Sequence, residues 1–394
     1  MSTEERISAG NTLVVHGVAS IKIFEGKASI LGCPIVLRRR LLVRPERAVP
    51  IYGETDLKLE VTRGEESRLE RYDCDTIPDN WAKVSDELIG GYRKVMVVGK
   101  SDSGKSSFSC YLANYALLHG REVQLFDMDP GQANIGPPTT VSYANVSAPL
   151  YDPFTLYVED AAHVGYTSPS HGVPQCINAV RDLVTRATIR SSVDFSVVDS
   201  DGWVEGIEAE RYKIEFARVC GMDAAVLIGV PPNSPLMGKL RELNIEVLQV
   251  DKPGALSLRG IDARRRLRSM GYRKYLKGAR VRTLTISWIR IDSLTASPEA
   301  SAQDYLRNIY CQMKQSPSPQ NLWEASANSA NKDVGLLSYA YDETGSFEGI
   351  GLVENIDLKR GYIRIFTPIK ANIASLVLGC MILGKDGVEV YCAR

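Results

Sequence analysis

Short apolar runs separated by glycine and proline make up the first sixty residues. The runs LVVHGV, IKIF, ASILG, IVLRRRLLV and LKLEV follow this pattern, which is typical of β-strands joined by turns. Residues 63–90 are charged and irregular, which indicates a connection with room for a short helix. The pattern therefore predicts a β-rich N-terminal domain, with its connection, over residues 1–90.

From Lys94 the pattern changes to that of a βαβ unit. The run KVMVV precedes a glycine-rich turn, a helical pattern (SSFSCYLANYALL) and a second apolar run, VQLFD. Further runs at 195–199, 224–229 and 245–250 alternate with helical patterns near 207–220 and 235–242. Strands alternating with helices predict an α/β domain, here over residues 91–280, with a parallel sheet flanked by helices.

Apolar runs with glycine and proline breaks return near the C-terminus. They are GLLSYAYD, EGIGLVENI, YIRIFTP and SLVLGCMIL, and a Ser/Pro/Ala/Gln-rich stretch at 296–320, predicted to be partly loop, comes before them. We expect a third, mainly β, domain over residues 281–394.

Composition bounds the class of protein. The chain has 394 residues, of which 44% are hydrophobic and 24% charged, so it is expected to fold into two or three domains. Its formal net charge is zero. A nucleic-acid partner would therefore have to be held by a local basic patch, because no overall positive field attracts it.

The cysteines and the lack of long apolar runs indicate a compartment. The eight cysteines form no C-x-x-C pair and no cluster with histidine at zinc spacing. No stretch reaches the roughly 18 apolar residues that a membrane-spanning helix needs. These features predict a cytoplasmic protein with reduced thiols and no membrane anchor.

One segment carries a specific chemical signal. Residues 99–106, GKSDSGKS, match G-x-x-x-x-G-K-[ST] between a predicted strand and a predicted helix. In such a loop the backbone N–H groups surround phosphates, the lysine reaches the β- and γ-phosphates, and the hydroxyl binds Mg²⁺. A chance Gly/Ser loop is the alternative, but the flanking strand and helix disfavour it. The predicted nucleotide-binding residues are Gly99, Asp102, Ser103, Gly104, Lys105, Ser106 and Ser107.

Carboxylates follow the strands that should lie beside this loop. Asp127 and Asp129 end the second apolar run of the domain, and Asp199 ends FSVVD. One acid can take the proton of an attacking hydroxyl while others, with Ser106, hold Mg²⁺. Each acid alone is also explained as a cap on a strand end. Trp203 follows directly and is placed to stack on a base, although a core or interface tryptophan is the alternative.

Taken together, these segments resemble the RNA 5′-hydroxyl kinase family, which includes the kinase subunit of the eukaryotic pre-mRNA cleavage complex, the kinase of pre-ribosomal RNA processing and archaeal polynucleotide kinases. KVMVVGKSDSGKSS resembles the family's phosphate loop and LFDMDPGQANIGPPTTVS its D-x-G-Q segment. GYTSPS, DGWVEG and EGKASILG resemble further family signatures, as does the C-terminal run from GLVENID to SLVLGCMILG. The resemblance runs nearly end to end.

The resemblance implies roles for individual residues. Asp129 is the implied base for the 5′-hydroxyl, with Asp127 in support. Gln132 lines the site, and Thr167 and Trp203 clamp the terminal bases of the acceptor. The arginine-rich run from 263 to 278 matches a lid helix that neutralises phosphate charge, although a solvated helix face or an RNA-backbone patch is the alternative. The candidate lid arginines are Arg264, Arg265 and Arg268.

Two positions depart from the family pattern. Asp199-Ser200-Asp201 replaces Asn-Thr-x before Gly-Trp, which is expected to add negative charge near the acceptor. The N-terminal glutamate that some members use against the nucleotide base has no clear equivalent, and Glu4 and Glu5 are the nearby candidates.

The leading hypothesis is a polynucleotide 5′-hydroxyl kinase that uses ATP and Mg²⁺ on RNA or DNA, in RNA processing or repair and with protein partners from that process. A scaffold subunit that keeps ATP as a structural ligand is the alternative. A nucleotide-hydrolysing switch is a third reading, against which the Thr167 and Trp203 pair speaks, since a hydrolase needs no base clamp.

Overall fold

The computed structural model describes residues 2–190, 193–256, 258–293, 334–357 and 360–392. The described residues form two sheets near the N-terminus, one in the middle of the chain and one near the C-terminus, and we describe these three parts as domains. The Ser/Pro/Ala/Gln-rich stretch predicted to be partly loop lies outside the described residues.

Two packed sheets form the N-terminal domain, with strand orders β1-β8-β3-β6 and β5-β4-β7-β2-β9. The strands are β1 (Ser2–Ile7), β2 (Thr12–His16), β3 (Ala19–Glu25), β4 (Ala28–Ile30), β5 (Cys33–Pro34), β6 (Arg40–Val43), β7 (Ala48–Gly53), β8 (Leu57–Arg63) and β9 (Arg68–Tyr72). In β3 and β8 the burial alternates residue by residue, because every second side chain points into the space between the sheets. The connection contains β9 as well as a helix, α1 (Asn80–Gly91).

The central domain is a helix-covered sheet with strand order β13-β12-β11-β14-β10-β15-β16. Its strands are β10 (Lys94–Gly99), β11 (Val123–Met128), β12 (Thr140–Val146), β13 (Asp160–His163), β14 (Phe195–Ser200), β15 (Ala224–Ile228) and β16 (Glu246–Val250). Its helices are α2 (Lys105–Leu118), α3 (Val173–Arg190), α4 (Ile207–Cys220), α5 (Pro235–Glu242) and α6 (Ile261–Leu276).

This sheet is parallel only in part. The strands β11, β14, β10, β15 and β16 run parallel, whereas β12 and β13 pair antiparallel at one edge. The apolar pattern does not predict these edge strands or α3, because their short polar-interrupted segments lack a clean period. The edge strands matter for the site, since they carry the chain from Asp129 round to Thr167.

The faces of the central sheet are covered differently. One face packs with α1 and α2 into a core that continues into the N-terminal domain, where the fully buried Trp81 meets Phe108 edge to face. The other face packs against α3, α4 and α5. The carboxyl ends of β10, β11 and β14 therefore open toward a space bounded by the N-terminal domain and by α6.

The C-terminal domain is a sheet of order β17-β21-β20-β19-β22-β18, with β23 paired to β22. Its strands are β17 (Arg280–Thr285), β18 (Arg290–Ser293), β19 (Val334–Tyr341), β20 (Phe347–Asp357), β21 (Tyr362–Thr367), β22 (Ser375–Gly384) and β23 (Glu389–Cys392). Tyr272 of α6 is fully buried against this sheet, so α6 joins the central and C-terminal domains. Among the described helices, none is long and apolar enough to cross a bilayer.

Candidate active site

The glycine-rich loop connects the end of β10 to the start of α2. Gly104 is the residue before the helix and has φ +98°, a conformation that favours glycine. Lys105 begins α2, and its Nζ donates to the carbonyl oxygen of Lys100 at 2.9 Å. The helix N-terminus and the loop amides thus face the same space, which is the arrangement that binds phosphate.

Two carboxylates lie side by side beneath this loop. Asp127 of β11 and Asp199 of β14 are register partners in neighbouring parallel strands, and both are buried. Backbone groups bind one oxygen of the Asp127 carboxylate. Asn134 and Ile135 donate their N–H groups to Oδ2, the latter at 2.9 Å. Within the described part of the chain, Asp199 Oδ1 has no hydrogen-bond partner although it is buried. The two acids therefore have different capacities to bind a ligand.

Burial perturbs both carboxyl groups. It raises the pKa of Asp127 to about 7, with the charge of Asp199 adding to the shift. It raises the pKa of Asp199 to about 6, while Lys105 and a hydrogen bond from Ser106 oppose the shift. A divalent cation beside Ser106 and Asp199 would supply the positive charge that this buried pair lacks.

Asp129 lies in the loop after β11, with one carboxylate oxygen engaged. Gly131 and Gln132 donate their backbone N–H groups to Oδ1 at 2.9 and 3.0 Å. Burial raises the pKa of Asp129, Asp201 adds to the rise and Lys105 opposes it. No hydrogen bond to Oδ2 is formed by the described residues, so this oxygen remains available to a substrate hydroxyl.

The loop that fixes Asp129 also contacts the turn that carries Thr167. A Cβ at Gly131 would lie 2.2 Å from the carbonyl oxygen of Thr167, so the two backbones touch. The Gln132 side chain donates to the carbonyl of Gly131 at 3.0 Å. Both Gln132 and Thr167 are partly exposed at this point. The structure brings these two predicted acceptor residues together.

The Gly-Trp turn packs against the phosphate loop. A Cβ at Gly202 would lie 2.3 Å from Ser101 Oγ, which leaves no room for a side chain. Trp203 is half-buried and stacks on Tyr212 of α4, with ring centroids 5.7 Å apart. Trp203 and Tyr166, the neighbour of Thr167, pack against the same core cluster.

A buried ion pair supports this turn. Lys213 Nζ donates to Asp201 Oδ2 at 2.7 Å and to the Asp201 carbonyl at 2.9 Å. Asp201 Oδ1 accepts the backbone N–H of Trp203 at 2.9 Å. The lysine is fully buried. The expectation that Asp201 adds net negative charge near the acceptor is therefore wrong, because Lys213 neutralises it in place.

The lid arginines diverge along α6. Arg264 Nη2 donates to Asp102 Oδ2 of the phosphate loop at 2.8 Å. Arg268 makes a two-point contact with Glu389 of the C-terminal domain at 2.6 and 2.8 Å, and Arg265 lies 3.9 Å from the same carboxylate. The structure thus brings Arg264 to the phosphate loop, whereas Arg265 and Arg268 face the C-terminal domain.

The N-terminal domain reaches the site through the turn between β6 and β7. Arg266 Nε of α6 donates to Glu46 Oε1 at 2.6 Å, and Arg47 donates to the side-chain oxygen of Asn134. The candidate glutamates Glu4 and Glu5 pair instead with Lys58 and Arg71 inside the N-terminal domain. The structure therefore does not bring Glu4 or Glu5 to the loop.

Several residues at the site escape sequence reasoning. Arg259 contacts Asp102 through its backbone N–H at 3.2 Å and through Nη1 at 3.4 Å. Lys213 and Tyr212 lie in an otherwise ordinary amphipathic helix, α4. An unusual lysine on the apolar side of that helix is the one signal in the sequence that could have found the ion pair.

The fold and the loop define a P-loop nucleotide-binding protein. A family model described as the P-loop of the mRNA cleavage and polyadenylation factor CLP1 matches residues 99–278. A polyribonucleotide 5′-hydroxyl-kinase of Thermococcus kodakarensis is 25% identical over 354 residues, which cover 82% of this chain and 98% of the relative. One of Pyrococcus horikoshii is 23% identical over 344 residues, covering 78% and 91%.

A solved structure, that of the wild-type Clp1p–Pcf11p complex, shares the fold. The TM-score is 0.70 at 13% identity, and the match covers 96% of this chain and 97% of that one. This likeness concerns the fold. The family model and the curated relatives confirm the resemblance seen in the sequence motifs: the chain is similar to the CLP1 proteins over its P-loop domain, and to polyribonucleotide 5′-hydroxyl kinases over most of its length.

Proposed function

We propose that this chain is an ATP-dependent polyribonucleotide 5′-hydroxyl kinase. The observation that carries the proposal is the meeting of four segments in two pairs: the phosphate loop touches the Gly-Trp turn through Ser101 and Gly202, and the Asp129 loop touches the Thr167 turn through Gly131. ATP hydrolysis alone would need the phosphate loop and a water molecule. It would not need residues that bind an acceptor strand. The names of the curated relatives support the same reaction.

The residues present fit a nucleotide and a magnesium ion. The loop amides and the start of α2 form the phosphate cradle, and Lys105 exchanges its contact with the Lys100 carbonyl for phosphate oxygens. Ser106 and the unpartnered Asp199 Oδ1 would hold Mg²⁺, which supplies charge neutralisation at the phosphates. We give Asp127 the supporting role of fixing the Asn134–Ile135 backbone, because those two amides both donate to its Oδ2.

Asp129 is the proposed general base. Its Oδ1 is fixed by two backbone N–H groups, so Oδ2 is presented in one direction. Oδ2 takes the proton as the 5′-hydroxyl oxygen forms its bond to the γ-phosphorus and the bond to the bridging oxygen breaks. A raised pKa makes the carboxylate a better proton acceptor, at the cost of being protonated at low pH.

Positive charge at the transferring phosphate comes from Lys105 and Arg264. Arg264 is already bound to the loop through Asp102 and needs only a rotation of its side chain to exchange that carboxylate for phosphate. Phosphoryl transfer requires mainly positioning and charge neutralisation, so one well-placed arginine has a large effect. Arg265 and Arg268 are proposed to act less directly, through the contact of α6 with Glu389.

The acceptor strand is proposed to lie on Gln132, Thr167 and Trp203. Trp203 is supported from behind by Tyr212 and its backbone is fixed by Asp201, so its ring is preorganised for a terminal base. A base that stacks on it has its 5′-end near the phosphate loop, since Gly202 touches Ser101.

The test is to incubate the protein with γ-labelled ATP, Mg²⁺ and 5′-hydroxyl RNA or DNA oligonucleotides. We expect label at the 5′ end of the RNA, and we expect Lys105→Ala to abolish it. Lys100→Ala is the matched control, since Lys100 lies in the same loop but forms an exposed pair with Glu205. Free labelled phosphate alone would indicate a hydrolytic switch, and tightly retained ATP without either product would indicate a scaffold.

Two features remain predictions. A protein partner from RNA processing is proposed because a solved relative is complexed with Pcf11p. The cytoplasmic location predicted from the cysteines is proposed on that ground alone.

A further inference from the structure

A basic cleft lies where α6 ends and the C-terminal sheet begins. It has a volume of about 570 Å³ and is lined by the turn after α6, by β17 and by the turn after β21. Lys277, Arg280, Arg282 and Lys370 contribute positive charge from these three segments. The cleft is therefore built by the tertiary fold and is not a run of like charges in the sequence.

The cations in this cleft differ from the arginines in the first half of α6. Arg264, Arg266 and Arg268 each pair with a carboxylate. Across the described ranges of the chain, no carboxylate lies within ion-pair distance of any of the four cleft cations. Arg282 Nη1 donates to the carbonyl oxygens of Ile369 and Ala371 at 2.6 and 3.1 Å, which fixes the turn.

Unpaired positive charge in a concave site requires a reason in a chain of net charge zero. Exposed Lys277, Arg280 and Lys370 around a single cleft form a local field that favours a polyanion. Protein segments are usually anchored by aromatic or aliphatic side chains in apolar pockets, whereas nucleic-acid backbone needs mainly cations. Among the residues that the structure describes, no aromatic side chain lines this cleft. The chemistry therefore favours phosphodiester groups over an acidic peptide.

Its distance from the phosphate loop suits a downstream part of the same strand. Arg264 contacts the loop, and Lys277 is 13 positions further along the α6 segment, which at ~1.5 Å per residue is roughly 20 Å. At a stacked rise of ~3.4 Å per nucleotide, roughly six nucleotides cover this distance. We propose that the cleft binds the backbone phosphates of the acceptor RNA, several nucleotides downstream of the 5′-hydroxyl; this inference rests on the proposed kinase function.

The test uses the triple variant Lys277→Ala/Arg280→Ala/Lys370→Ala, which leaves Arg282 to hold the turn. The control, Arg38→Ala/Arg39→Ala/Arg40→Ala, removes three exposed cations from the N-terminal domain. Binding of a fluorescent 5′-hydroxyl RNA of about 20 nucleotides should weaken roughly 10- to 100-fold at ~0.1 M salt in the cleft variant alone, and the slope of log affinity against log salt should fall by about two.

Phosphorylation of a trinucleotide should not change, because it is too short to reach the cleft. If the cleft variant binds the long RNA as wild type does, or if both triple variants weaken it equally, the inference is wrong. It is also wrong if a fluorescent oligoglutamate peptide binds the wild-type cleft and the long RNA cannot displace it. Failure of the kinase proposal appears separately, as absence of trinucleotide phosphorylation by the wild-type protein.

Discussion

The phosphate-binding loop is one uninterrupted stretch of chain, whereas the acceptor side of the site is assembled from three distant segments. The loop over residues 99–107 carries its own amides, lysine and hydroxyl. The acceptor side combines Asp129, Thr167 and Trp203. Gly131 connects the Asp129 loop to the Thr167 turn, and the buried Asp201–Lys213 pair ties the Trp203 turn to α4. The phosphate loop depends on local backbone geometry, whereas the acceptor side depends on packing between α4, the sheet and its loops.

This difference predicts how each side fails. A substitution in the phosphate loop should abolish phosphate transfer without unfolding the protein, because few other elements of the fold depend on the side chain that is replaced. A substitution beneath the acceptor turn should cost stability and acceptor affinity together, because the same contacts provide both.

Asp129→Asn tests the proposed base, which takes the proton of the acceptor hydroxyl as that hydroxyl attacks the γ-phosphate. The variant keeps the Oδ1 acceptor for Gly131 and Gln132 but loses the base, so we expect kcat to fall by roughly 10²- to 10⁴-fold with little change in KM for RNA. The low-pH limb of the wild-type rate profile should disappear in the variant, because Asp129 must be deprotonated to act. Transfer as fast as wild type would exclude Asp129 as the base.

Lys213→Met tests the hidden support of the acceptor side. It leaves Asp201 buried without its partner, so we expect the free energy of unfolding to fall by roughly 3–5 kcal/mol and KM for RNA to rise. Urea denaturation measures the first effect. Adding Asp201→Asn should restore part of the stability.

The matched control for this variant is Lys239→Met. Lys239 likewise forms an ion pair, here with Glu210, but the Lys239 side chain is 41% exposed. Its replacement should therefore lower the free energy of unfolding by less than about 1 kcal/mol. Equal losses from both variants would contradict a special role for the buried pair.

Arg264 and Arg265 are neighbours on α6. A comparison of their alanine variants distinguishes a specific lid role of one arginine from a general effect of positive charge. Arg264→Ala should lower kcat by roughly 10²-fold, since it removes the arginine that contacts the phosphate loop. Arg265→Ala should have only a small effect, because that side chain faces Glu389. Steady-state kinetics with a trinucleotide acceptor measures both, and the reverse order of effects would mean that α6 rotates when nucleotide binds.

Asp199→Asn should stabilise the protein while it impairs the reaction. The folded pKa of about 6 lies above the ordinary value of 3.8, so the free energy of unfolding falls as pH rises from the ordinary value to about 6, and the loss is complete above that. Without nucleotide and divalent cations we expect the variant to be more stable at alkaline pH, by roughly 1–3 kcal/mol, with the advantage lost in acid. Lower stability of the variant at high pH would show that Lys105 already compensates the charge.

Most of the fold and the nucleotide side could be predicted from the sequence. The apolar runs at β10, β11 and β14 and the pattern of α2 are regular, and the loop motif is contiguous. The antiparallel edge strands, the Asp201–Lys213 pair and the different directions of Arg264 and Arg265 could not be predicted. Each of these depends on which elements become neighbours, and a spacing in one sequence does not encode that.

Asp127 and Asp199 also show that a sequence does not encode which elements become neighbours, here for two individual residues. Both are strand-end acids in the sequence and both were candidate magnesium ligands. Backbone amides from a loop seven and eight residues further on occupy Asp127, and this leaves Asp199 with the unpartnered oxygen. The distinction comes from the loop's path rather than from either residue type.

The most direct test of the account is the fate of the γ-phosphate in a single turnover. Enzyme in excess over labelled ATP is mixed with a 5′-hydroxyl trinucleotide or with its 5′-phosphorylated counterpart, and the label on RNA is compared with free phosphate. The account predicts that nearly all label reaches the 5′-hydroxyl RNA, and that Trp203→Ala slows this transfer without loss of ATP binding. Equal release of free phosphate with both oligonucleotides would contradict it.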